Sequence, residues 1–220
     1  IQSLLNSVMA MCPIAPLVDV CEARNRLRMI QPWLEARLKE GSQDPELHNA
    51  IGKIYISNNQ NAQEFLLKDP FYDSKVVGQF CEKVDPFLAF LAYRRAKGAC
   101  DEDLIRVTNE NGLFKDQARY LVERMDDNLW KQVLTPENEH KKEIVDQIVN
   151  TALPECQNPE MVSRTVKAFM DADMPDALLD LLERLVLQGT EFGKNKSLQN
   201  LLIITGLSAA PERVPDYIER

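Results

Sequence analysis

Residues able to do chemistry are few in this chain and far apart. Imidazole could come only from His48 and His140. They stand in separate segments, outside any H-E-x-x-H pattern and away from a cysteine pair, so neither zinc ligation nor a nucleophile–base arrangement follows from their spacing. The ordinary reading is that His48, near a helix start, is a packing or solvent residue. The five cysteines, Cys12, Cys21, Cys81, Cys100 and Cys156, include no C-x-x-C. An odd, scattered set reads as reduced thiols used as small core residues rather than a disulfide framework. G-x-G-x-x-G, G-x-x-x-x-G-K-[ST] and G-x-S-x-G are all missing. The carboxylate pairs Glu102/Asp103 and Asp126/Asp127 fall at helix starts, where capping and the helix dipole account for them better than acid–base chemistry. No EF-hand pattern surrounds them. The sequence therefore nominates no catalytic, cofactor-binding or metal-ligating residue and no cofactor, and it reads as a non-enzyme.

Charge narrows the partners. Lys and Arg total 26 against 34 Asp and Glu, a formal net charge of −8. With no basic excess, neither nucleic acid nor anionic lipid is an expected partner. No run of about 18 apolar residues predicts a membrane span, and no basic and apolar leader opens the chain. Starting at Ile1, it reads as a piece of a longer soluble protein. The run His140-Lys141-Lys142 reads as a solvated face, and Tyr93-Arg94-Arg95-Ala96-Lys97 as a cationic helix end suited to the negative pole of the dipole. Trp33 and Trp130 have apolar neighbours and read as core.

The elements that must position these residues are all of one kind. Glycine is scarce, at 8, and the apolar period is close to 3.6 nearly throughout. Met161, Val162, Thr165, Val166, Phe169 and Met170 line one helical face. Leu178, Leu181, Leu182, Leu185 and Val186 line the next, after a link short enough to force a hairpin. Asp44-Pro45-Glu46, Asp85-Pro86, Thr135-Pro136-Glu137 and Asn158-Pro159-Glu160 share a helix-start grammar: a side-chain oxygen at the N-cap, a proline that needs no donor, and an acid at the positive pole. Gly41 and Gly189 read as C-terminal caps. These markers predict helices over 2–10, 16–23, 25–40, 46–57, 61–67, 73–82, 86–96, 101–109, 113–124, 127–133, 140–152, 159–171, 175–188, 196–208 and 212–219. That amounts to roughly seven hairpins of about 30 residues, with no linker rich in Gly, Ser or Pro between them.

One stretch answers another further along. WLEARLKEG (33–41) followed by LHNAIGKIYI matches LLERLVLQG (181–189) followed by LQNLLIITGL, at offsets of about 148 and 151 residues. The match implies a higher-order unit of roughly 150 residues, of which the chain holds about one and a half. A hairpin cannot bury all its apolar surface by itself and hides the rest against the hairpins before and after it. The expected fold is all-α, an α-solenoid of stacked helical hairpins running continuously over residues 1–220, its seven layers spanning about 60–70 Å.

The strings DPFYDSKVVGQFCEKVDPFLAFLAYRR (69–95), NENGLFKDQARYLVERMDDNLW (109–130), VKAFMDADMPDALLDLLE (166–183) and NKSLQNLLI (195–203) carry a resemblance to the leg of clathrin heavy chains. Their order and spacing match over essentially the whole chain, with departures from the animal form around residues 94–100. The resemblance implies a right-handed α-α superhelix of clathrin heavy-chain repeats from the ankle and distal leg, and a cytoplasmic scaffold role in coated pits and vesicles. It implies that other heavy-chain legs are the partners, through small polar contacts multiplied by multivalency. Adaptors and light chains would bind the full-length chain elsewhere, and this piece alone would be monomeric. The competing reading is an α-solenoid segment of a vacuolar protein sorting or tethering complex. A tetratricopeptide-type array would need a 34-residue period, which is not found.

Overall fold

The computed structural model describes residues 13–188 and 191–219. The helix predicted over 2–10, Cys12 and the cap at Gly189 lie outside the described residues. Among the described residues the secondary structure is helical, with no strand. The chain divides into two compact units, one ending at Asn111 and the other beginning at Gly112.

The first unit contains α1 (Ile14–Ala23), a 3-10 turn (Leu27–Met29), α2 (Gln31–Lys39), α3 (Pro45–Asn58), α4 (Ala62–Lys68), α5 (Ser74–Glu82), α6 (Pro86–Arg94) and α7 (Asp101–Glu110). Asp44 and Asp85 accept from the N–H groups of Glu46 and Phe87, and proline fills the first helical position after each. Gly41 adopts φ 82° and closes α2 as a C-terminal cap. The single helix expected over 25–40 is broken instead. Asn25 enters the left-handed region at φ 52°, and Pro32 fits only in the first turn of a helix, so the regular helix begins at Gln31. The helix expected to run to residue 96 stops at Arg94, because Lys97 and Gly98 both take positive φ.

Packing in this unit follows chain order. Neighbouring helices pair, α2 with α3, α5 with α6 and α6 with α7. Alternate helices also meet, α1 with α3, α3 with α5 and α4 with α6. This two-row pattern is how stacked hairpins bury apolar surface against the units before and after. Trp33, Leu34, Leu47, Ile51, Val77, Ala89 and Leu104 are among the side chains sealed in these seams.

The second unit contains α8 (Phe114–Arg124), α9 (Asp127–Val133), α10 (Lys141–Gln147) continued by a π turn (Ile148–Ala152), α11 (Pro159–Asp171), α12 (Pro175–Leu187), a 3-10 turn (Glu191–Lys194), α13 (Lys196–Ala209), a second 3-10 turn (Pro211–Arg213) and α14 (Val214–Glu219). Asp126, Asn158 and Asn195 cap α9, α11 and α13. The helix-start letters Thr135-Pro136-Glu137 open no helix of their own. Asn138 turns the chain there: its Nδ2 donates to Val133 O at 2.7 Å while its Oδ1 accepts from His140 N at 3.1 Å, and the regular helix begins at Lys141, one residue after the start predicted at 140. Here too, α8 packs on α10 and α11, α9 on α11, α11 on α12 and α12 on α13. Of the face predicted for α11, Val162, Thr165, Val166 and Phe169 are buried, but Met170 is 53% exposed. It lies past the edge of the apolar stripe, where the helix ends. On α12, Leu178, Leu181, Leu182 and Leu185 are buried as expected, and Leu179 joins them.

Candidate functional site

Polar side chains gather at the seams between successive helices, and each cluster can be built from its parts. Asp69 follows α4 and His48 sits in the first turn of α3. The His48 Nδ1 lies 2.6 Å from Asp69 Oδ2, and Nε2 lies 2.9 Å from the Ser42 carbonyl. A His–Asp pair is the core of many general bases, but a base needs its outer nitrogen free to reach substrate. Here that nitrogen donates to a backbone carbonyl and the ring is only 2% exposed. The pair ties the α2–α3 link to the end of α4. Of the two readings given for His48, the structure agrees with packing and not with solvent exposure, and it adds a hydrogen-bond contact at each ring nitrogen. A partner 21 residues away leaves no local signal in the sequence.

A second cluster spans three consecutive helices. The Tyr93 hydroxyl (α6) donates to Glu82 Oε1 (α5), and Arg106 (α7) donates to the same oxygen at 2.7 Å. Arg106 also reaches Asp103 at 3.4 Å and Glu110 at 3.3 Å. Burial by itself would raise the Glu82 pKa, but the hydrogen bonds from Arg106 and Tyr93 and the guanidinium charge outweigh it and leave the carboxyl below its usual 4.5. Burial, then the hydrogen bond to Glu82, raises the Tyr93 phenol. A depressed carboxylate stabilises the fold above its unfolded pKa, and that contribution disappears as pH falls through the lower folded value. Glu82→Gln is expected to cost about 2 kcal/mol near neutrality, with the gap to the parent closing in acid. Chemical denaturation measured across the acid range checks this, and a gap that persists in acid would rule out the linkage.

The cationic run at the end of α6 does more than meet the dipole. Tyr93 is fully buried. The Arg95 guanidinium lies 3.9 Å over the Tyr72 ring and donates to the carbonyls of Pro70 (2.7 Å) and Tyr72. Tyr72 in turn donates to Leu66 O at 2.9 Å, and burial pushes its phenol up to about 12. In the second unit Arg119 grips Glu155 at 2.6 Å, and Asp127 receives Lys167 at 3.1 Å and Arg164 at 3.5 Å. The Glu183 carboxylate gathers Arg213 at 3.3 Å and the Tyr217 hydroxyl.

The remaining sequence candidates fall into place singly. Glu102 and Asp103 occupy the first turn of α7. Asp126 caps α9 while Asp127 forms ion pairs. Lys142 is exposed, and His140 rests 5.3 Å from the Phe114 ring. Trp33 and Trp130 are 1% and 2% exposed, in the core as predicted. Cys21, Cys81, Cys100 and Cys156 are free thiols, and burial raises Cys81 to about 12, far from a reactive thiolate. No three His, Cys, Asp or Glu side chains among the described residues are placed to hold a metal ion. No described helix is long and apolar enough to cross a membrane.

Seam-bridging polar clusters on helices stacked in chain order describe a repeat architecture, and sequence comparison says which one. A family profile described as a region in clathrin and VPS matches residues 5–145 and 153–220. The chain belongs to the clathrin repeat family. It is 57% identical over all 220 residues to clathrin heavy chain 2 of Oryza sativa subsp. japonica, and 56% identical over the same length to the clathrin heavy chain of Dictyostelium discoideum. Against clathrin heavy chain 2 of Homo sapiens the identity is 48% over the full chain. In each comparison the chain spans 13% of the relative's length. The all-α, α-solenoid fold and the resemblance read from residues 69–95 and the three later strings are both borne out.

Proposed function

We propose that this chain is a leg segment of a clathrin heavy chain and acts as a mechanical element of the clathrin coat rather than as an enzyme. The observation that carries the reading is identity of 46–57% to heavy chains across the full 220 residues, which a generic helical repeat would not share. The vacuolar sorting alternative rests on the shared family profile alone. In this role residues 1–220 form one continuous solenoid of about one and a half repeats, each roughly 150 residues long. The seam clusters hold each hairpin to the next, so small rotations at successive joints add up to a bend along the leg. The partners are neighbouring heavy-chain legs, met through small polar contacts whose avidity comes from number. Light chains and adaptors engage other parts of the full-length chain. The site of action is cytoplasmic, on the cytosolic face of coated pits and vesicles.

The test is a chimera in which this segment replaces its counterpart in the Dictyostelium discoideum heavy chain. Purified chimeric chains are expected to assemble into coats visible by electron microscopy, and the segment alone to sediment as a monomer. Folded chimeric chains that fail to assemble would overturn the scaffold reading.

A further inference from the structure

Both ring nitrogens of His48 face acceptors. Nδ1 lies 2.6 Å from Asp69 Oδ2, and Nε2 lies 2.9 Å from the Ser42 carbonyl. A carbonyl oxygen can only accept. The Asp69 side chain accepts as well: its other oxygen, Oδ1, takes the N–H groups of Phe71 at 2.9 Å and Tyr72 at 3.3 Å, as a carboxylate does. A neutral imidazole has one N–H and can serve one of the two oxygens. Its other nitrogen then turns a lone pair on an acceptor. Only the imidazolium, which donates from both nitrogens, makes both contacts together. The ring is buried, so open water does not replace a lost partner.

Among the described residues the ionic contact of the ring is Asp69. On the α4 side, Lys68 and Glu64 pair with each other at 2.7 Å beside the recess that holds His48 and Asp69. Tyr55 of α3 and Leu38 of α2 line the same recess, and the Phe71 ring stands 5.0 Å from the imidazole. Asp44 caps α3 and Glu46 stands in its first turn. Where α5 begins, Asp73 N donates to Asn49 Oδ1 at 2.8 Å, and Glu22 of α1 is taken by Lys53 further along α3.

The two contacts of the ring are not equally firm. The one to Asp69 is shorter and sets charge against charge, whereas Ser42 offers a neutral carbonyl. Ser42 belongs to the α2–α3 link, where Gly41, Gln43 and Asp44 are exposed. Its other bonds are slack: its N–H reaches Arg37 O at 3.4 Å, and its hydroxyl accepts from Asp44 N at 3.4 Å. Open space surrounds the position a Cβ would take on Gly41, so the link has room to swing.

We propose that His48 is a proton-operated catch. With both ring protons in place, it fastens the α2–α3 link to the end of α4. Loss of one proton to solvent leaves Nδ1–H on Asp69 and lets go of the Ser42 carbonyl, and residues 41–44 swing away from the ring. The catch is closed in acid and opens as pH rises through the titration of the ring, the range around neutrality in which imidazoles ordinarily change charge. The device is built into the first unit and does not depend on the coat role.

Nuclear magnetic resonance on the isotope-labelled 220-residue chain, from about pH 5.5 to about pH 8.5, tests the catch. The ring nitrogens of His48 are expected to show two N–H groups at the acid end and one at the other. The amides of Ser42, Gln43 and Asp44 shift with the same midpoint. Their exchange protection, corrected for the intrinsic rate, falls about five-fold, the worth of one hydrogen bond. His140, the other histidine, is the internal control, and its titration leaves the link unmoved. Asp69→Asn removes the anionic partner and moves the opening toward acid. His48→Gln abolishes the response of the link to pH. The proposal fails if the link amides ignore the His48 titration, if the ring carries a single proton at the acid end, or if the response survives His48→Gln.

Discussion

Leu182→Asp unfolds the second unit. Leu182 is fully buried on α12, a helix that packs against α11, α13 and the π turn at once. Leu182 shares α12 with Leu178, Leu181 and Leu185, which are buried with it, and faces a seam between hydrophobic helices. A buried unpaired carboxylate, added to the lost leucine packing, costs about 4–5 kcal/mol or more, comparable with the whole stability of a domain this size. The expected result is loss of the cooperative melt of the second unit in circular dichroism, with amide exchange protection lost from α11 to α13. Leu207→Asp on α13 is the control: Leu207 is 58% exposed, so its replacement shifts stability by no more than about 0.5 kcal/mol. Equal effects from the two variants would mean that the buried stripe of α12 has been assigned to the wrong face.

The two substitutions also separate what could be read from sequence from what could not. The α12 stripe is legible because leucines at 3.6-residue spacing report a helix with one covered face, and a short link forces the next helix back alongside. Caps at Asp44, Asp85 and Asn158 are legible because each acts within a few residues of its own position. Thr135-Pro136-Glu137 uses the same letters and forms no helix, because Asn138, just beyond, captures the chain first. The seam clusters are invisible for a different reason. His48 and Asp69, Glu82 and Arg106, and Arg119 and Glu155 are joined across 21, 24 and 36 residues, and nothing in the local pattern of either partner announces the other.

The glycines show the same limit and supply the second large effect. In the interior of an exposed helix, Gly→Ala stabilises by about 1 kcal/mol, because alanine gives up less backbone entropy. Gly78, inside α5, is expected to do the reverse. A Cβ added to it would stand 2.6 Å from Cδ1 of the Tyr93 ring on α6, and closer still to Cε1. The ring cannot swing aside cheaply. It is fully buried, and its hydroxyl is fixed to Glu82, which Arg106 holds from α7. Relief requires either moving α6 away from α5 or breaking that network, and overpacking of this kind costs about 1–3 kcal/mol. Gly78→Ala should therefore lower the midpoint of the first unit by roughly 5–13 °C. The sign reversal identifies the cause. In a Tyr93→Leu background the ring is gone, and the added methyl should be neutral or mildly stabilising, so the double mutant cycle is strongly non-additive. A higher melting temperature for Gly78→Ala alone would show that α5 and α6 are not held at this distance. The same close approach recurs between α3 and α4, where a Cβ on Gly52 would meet the Phe65 ring at 2.8 Å. Successive helices thus come together over a glycine on one and an aromatic ring on the next, which sets their spacing more tightly than an apolar stripe could.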